Sequence, residues 1–96
     1  MDSFRFSRES GLTHAEFFRS LPAALDHHPF SVDGDRVVVD YGDRRITIVL
    51  GPQQVRRIAM LEIPYTILHF SFDGFSPAQR TEFMDRFNLY FRRGGG

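Results

Sequence analysis

Three observations predict an α+β fold: a two-layer sandwich in which an antiparallel meander sheet of four to five strands carries an N-terminal and a C-terminal amphipathic helix on one face. Apolar residues recur at helical spacing near both ends of the chain, at Phe17, Phe18, Leu21, Ala24 and Leu25 and again at Phe83, Phe87 and Phe91. From residue 30 to the low seventies the period changes to two. Gly34 and Gly42, each beside aspartates, supply the backbone freedom that tight hairpin turns require.

The first helix is announced by its start. Thr13 followed by Glu16 forms a capping box, and Leu12 with Phe17 stands where a hydrophobic staple belongs. The apolar face continues to about residue 26, so the helix is expected over 13–26, with Pro22 either kinking or splitting it. Before it, the alternation Phe4-Arg5-Phe6 suggests a short edge strand.

The turn segments 32–35 and 41–43 bracket a Val-rich strand over Arg36 to Asp40. In the next strand Ile46, Ile48 and Leu50 point to the core while Arg45, Thr47 and Val49 point away, until Gly51 and Pro52 end it. A further strand is expected over Arg57 to Ile63 and another over Tyr65 to Phe72. Pro64 between them marks a turn, a bulge or an edge, because it cannot donate to a ladder.

Ser76, Pro77 and Gln79 start the last helix with a second capping box. Its apolar stripe comprises Phe83, Met84, Phe87, Tyr90 and Phe91, with Arg80 inside the stripe and Leu89 on the polar face. Glu82 and Arg86 form an i,i+4 pair, Gly94 is the natural stop, and Gly94 to Gly96 read as a frayed tail.

Ninety-six residues with 42% hydrophobic content fit one domain with one core. There is no Cys, and Arg5, Arg8, Glu9, Glu16 and Arg19 interrupt the region where a secretory leader needs an apolar run, so a cytoplasmic location is expected. No apolar run approaches the ~20 residues of a membrane-spanning helix, and no membrane partner is expected. Formal charge is zero and all twelve basic residues are Arg; residues 1–50 hold six of them against eight acids, residues 51–96 six against four.

The residue types that carry chemistry are scattered. His14, His27, His28 and His69 lack metal-ligand spacing, no serine sits in a nucleophile elbow, and no glycine-rich loop leads into a helix. Asp33, Asp35, Asp40 and Asp43 are turn formers. The chain is therefore expected to be no enzyme and to need no cofactor. The leading expectation is a non-catalytic interaction module, associating with itself or another protein through Val49, Ile67 and Leu89. The alternative is an arginine-mediated binder of single-stranded nucleic acid or another polyanion through Arg45, Arg56, Arg57, Tyr65, Arg86, Arg92 and Arg93. Zero net charge counts against that alternative, as does pairing of these arginines with Asp40, Glu62 and other acids. A small apolar-ligand carrier would need a cavity between the Phe-rich helix and the sheet, where eleven Phe more simply fill a core.

Overall fold

A computed structural model describes residues 3–91. In chain order it comprises β1 (Ser3–Ser10), α1 (His14–Ala24), β2 (Ser31–Asp33), β3 (Arg36–Asp40), β4 (Arg45–Leu50), β5 (Gln54–Ile58), β6 (Leu61–Asp73) and α2 (Pro77–Phe91). The strands lie antiparallel in the order β1-β6-β4-β3-β2, with β5 paired to the first part of β6. The architecture is the predicted α+β one, with both helices on the sheet and six strands where four to five were expected. The added strand is β2, whose three residues are too few to show alternation in sequence. Arg92, Arg93 and the expected stop at Gly94 lie outside the described residues.

Both capping boxes form. Thr13 Oγ1 accepts from the Glu16 N–H at 3.0 Å while Glu16 Oε1 accepts from the Thr13 N–H at 2.9 Å; Ser76 and Gln79 repeat the exchange at 3.2 and 2.9 Å. Helix α1 runs through Pro22 and ends two residues later, in a chain reversal where Asp26 and His27 adopt positive φ of 55° and 61°. Pro22 thus sits in the last turn, where a single lost bond is cheapest. On α2, Phe87 and Phe91 are buried and Phe83 and Met84 half-buried. Tyr90, expected in the stripe, is 41% exposed and carries Arg86 over its ring at 5.7 Å. Arg86 also donates to Asp26 at 3.1 Å, so its partner is on the α1 turn and not Glu82.

One face of the sheet is the core. Val37 and Val39 of β3, Ile46, Ile48 and Leu50 of β4, and Leu68, Phe70 and Phe72 of β6 are all buried there, under Phe17 and Leu21 of α1 and Phe87 and Phe91 of α2. The rings interlock, with Phe70 edge-on to Phe87 at 5.3 Å, Phe87 on Phe91 at 4.3 Å and Phe17 on Phe91 at 5.3 Å. Phe83 meets Phe72 in the same way at 5.7 Å. Ring contacts therefore occupy the layer in which an apolar ligand would have to lie.

The largest departure from the sequence reading is the hairpin between β5 and β6. Pro64 lies inside β6, opposite Val55, and the turn is at Ala59 and Met60, bounded by the Ile58–Leu61 pair. Ala59 has φ of 55°, at the position where a two-residue hairpin loop of type II′ normally takes glycine. Ala-Met carries no turn signal in sequence, whereas Pro64 does, and the reading followed the proline. Strand β6 tolerates it because it is an edge strand at that point.

Candidate functional site

Two local events leave the far half of this hairpin uncovered. Strand β4 is interrupted by residues 51–53: Leu50 pairs with Leu68 and Gln54 with Tyr65, so three residues oppose two and one is extra, as in a bulge. The Gly51 N–H still donates to Ile67 O at 2.8 Å, but Pro52 has no N–H to give. On the other side of β6, β1 stops at Ser10 because the chain turns inward: Leu12 is buried and its carbonyl accepts from the buried Thr66 hydroxyl at 3.0 Å. The helices lie over the main sheet. What projects beyond is a two-stranded arm of β5 and residues 61–65, with no strand at either edge among the described residues.

This arm is apolar. Val55 is 51% exposed, Ile58 52%, Met60 97%, Leu61 64% and Ile63 39%. The register places Ile58, Leu61 and Ile63 with Arg56, Gln54 and Tyr65 on the face away from the helices, and Val55 with Pro64, Arg57 and Glu62 on the other. A protein of this size buries such side chains unless something outside it covers them.

The predicted partner residues stand apart from this cluster to different degrees. Ile67 and Val49 are half-buried on the outer sheet face, and Leu89 is 68% exposed on α2. Sequence reasoning missed Val55, Ile58, Met60, Leu61 and Ile63, because an apolar segment reads as a covered strand unless its neighbours are known. The available signal was their number: five apolar side chains between residues 55 and 63 with acids only at Glu62.

Each described member of the predicted anion-binding set is engaged. Arg56 reaches Glu9 with both terminal nitrogens, at 2.6 and 3.1 Å, and lies over the Tyr65 ring at 4.6 Å. Arg45 pairs with Asp40 at 3.2 Å, Arg57 with Glu62 at 3.3 Å and Arg86 with Asp26 at 3.1 Å. The Arg56 bond, aided by charge attraction, holds the Glu9 carboxyl below the ordinary carboxylate range and pushes the Arg56 pKa up. Asp40 is likewise lowered, first by the Gly42 N–H and then by Arg45. Tyr65 does stand beside Arg56 on the outer face, but a nucleic acid would have to displace Glu9 to use the pair.

The histidines hold structure together. His14 Nε2 donates to Gly51 O at 2.8 Å, and His28 Nε2 donates to Asp40 O at 2.9 Å while stacking on Tyr41 at 4.3 Å. Burial pushes the Tyr41 pKa up. Strand register brings Ser7 and His69 together, Oγ to Nδ1 at 2.7 Å, a pair the sequence did not suggest. It lies exposed on the outer face, and among the described residues no carboxylate orients the imidazole. Among those residues, too, no three His, Asp or Glu side chains are grouped to hold a metal, and no helix is long and apolar enough to cross a membrane. Comparison with known protein families, with curated proteins and with solved structures finds no match to this chain.

Proposed function

We propose that the chain is a non-catalytic interaction module that pairs with a second copy of itself through the β5–β6 arm. The observation that carries this reading is the exposed apolar face of Ile58, Leu61 and Ile63, with Met60 at the tip, on a ribbon whose two edges pair with no strand among the described residues. A second copy fits better than a charged partner because the charges on and beside the arm are already neutralised internally by Arg56–Glu9 and Arg57–Glu62. Zero formal charge also leaves no long-range repulsion between copies.

The magnitudes favour a weak dimer. Covering the exposed parts of Ile58, Met60, Leu61 and Ile63, at ~1.5–3 kcal/mol for complete burial of each side chain, gives on the order of 4–8 kcal/mol. That is the same size as the ~4–15 kcal/mol that association costs, so the remaining sheet face has to contribute. A standard interface removes ~800 Å² from each partner, and a ribbon of five pairs, ~17 Å long, supplies only part of it.

Light scattering at tens of micromolar tests the reading. The expected mass is about twice 11.1 kDa, falling to the monomer for Ile58→Glu with Leu61→Glu while circular dichroism stays unchanged. A monomer at every concentration up to about a millimolar rejects it, as does a dimer that the double variant leaves intact.

A further inference from the structure

We propose that the open edge of β1, with the groove between it and α2, receives an extended acidic peptide that adds to the sheet as a further strand. The site is remote from the arm's exposed apolar row and does not depend on it.

The backbone is prepared for such a strand. β1 pairs with β6 in unbroken register from Ser3–Asp73 to Ser10–Thr66, and among the described residues no strand lies on its other side. In an edge strand every second residue turns its N–H and C=O outward, which is the template that strand addition uses. Eight residues without a bulge or proline make this edge long for one left unprotected.

The side chains say what the strand should carry. Phe4 and Phe6 of β1 face Pro77, Arg80, Thr81 and Met84 of α2 across a cleft of about 340 Å³. Phe4 remains 42% exposed with the Arg80 guanidinium stacked on it at 3.9 Å. Four residues along β1, Arg8 folds its half-buried guanidinium over Phe70 and Phe87, at 5.8 and 5.6 Å. Arg44, Arg45, Arg56, Arg57 and Arg86 each have a carboxylate within 4.0 Å; of the described arginines without one, Arg5, Arg19 and Arg36 are exposed to solvent, whereas Arg8 and Arg80 are half-buried against rings beside this edge. Arginines on an edge often serve only to keep other strands away. Arg8 does not act that way, because its guanidinium sits over the core rings Phe70 and Phe87, where loss of solvent disfavours its charge and lowers its pKa. A carboxylate delivered by a ligand would restore what burial removed.

Spacing completes the description. Arg8 and Phe4, with Arg80 upon it, are four residues apart on one face, ~13 Å. A bound strand therefore meets them with acids at alternate-but-one positions and an apolar side chain between, over the cleft. Asp85, on the α2 wall of the cleft, adds one opposing charge and keeps the acids to the two ends. A second copy of β1 is the wrong occupant, since Ser3 to Ser10 carry one acid, Glu9, against two arginines and cannot present carboxylates four residues apart on one face.

The test uses isotope-labelled full-length protein carrying Ile58→Glu and Leu61→Glu, so that failure here leaves the arm reading untouched. The probe is a short synthetic peptide, Glu-Thr-Val-Thr-Glu with blocked ends, titrated at low salt. Expected are saturable amide shifts along Ser3 to Ser10 and in the first half of α2, and about ten-fold weaker binding for Arg8→Gln with Arg80→Gln. A peptide N-methylated on the amides that face β1 should lose binding. Equal binding of the peptide with Lys for Glu, shifts confined to β5, or no saturation at millimolar peptide overturns the proposal. The Lys comparison needs no variant and stands even if Arg8→Gln perturbs folding.

Discussion

Glu9 accepts two hydrogen bonds from Arg56, at 2.6 and 3.1 Å, across the place where β1 ends and the arm begins. The contact spans 47 positions in sequence and joins the edge strand to the root of the ribbon. It fixes the arm's direction more than it adds stability, since both side chains are well exposed and such pairs contribute little.

The pair makes the arm's anchoring sensitive to acid. Glu9 has a lowered pKa in the folded chain, so the contribution is complete above the unfolded glutamate value of about 4.3 and is lost as pH falls through the lower folded value. Carboxyl-carbon NMR should place the Glu9 midpoint below the ordinary range, and Arg56→Gln should return it upward. A midpoint at or above about 4.3 in the native chain means the bond does not persist in solution.

The turn offers a second prediction. Ala59 is held at φ of 55°, where an L-residue loses roughly 1–2 kcal/mol relative to right-handed backbone and glycine loses little. Ala59→Gly removes that strain but adds ~0.4–1 kcal/mol of unfolded-state freedom, for a net gain between zero and ~1.6 kcal/mol. The arm can open without the rest of the domain, so the gain should appear as slower amide exchange in Gln54 to Ile58 and not as a shift of the global transition. Faster exchange in Ala59→Gly would show that the loop is not the one described.

How much of this was legible in the chain follows from what each signal reports. Thr13 with Glu16 and Ser76 with Gln79 are local devices, and both helix starts stand where these residues put them. The alternation of Ile46, Ile48, Leu50 with Leu68, Phe70, Phe72 likewise fixed which face is core. The arm was not legible, because the apolar residues from Val55 to Ile63 show no clear period and nothing local says whether a layer covers them. That is decided where the chain turns inward after Ser10 and the Leu12 carbonyl accepts from the Thr66 hydroxyl, a contact 54 positions apart. Arg86 illustrates the same limit: Glu82 is its sequence neighbour, yet the α1 turn brings Asp26 closer.

The last prediction ranks the contributions to the core. Phe87 has no exposure, and its ring touches Phe70, Phe83, Phe91 and Phe17, so Phe87→Ala removes the one side chain that both helices and the sheet share. The expected cost is ~3–5 kcal/mol, a large part of the 5–15 kcal/mol that stabilises a typical domain. Ser76→Ala removes a cap hydrogen bond and should cost ~1 kcal/mol. Leu89→Ala alters an exposed position and should stay within ~0.5 kcal/mol. Urea denaturation at low protein concentration, where the monomer prevails, measures all three on one scale. If Phe87→Ala proved no worse than Ser76→Ala, the aromatic stripe of α2 would not be packed between α1 and the sheet in solution, and the helix would become the surface to test for a partner in place of the arm.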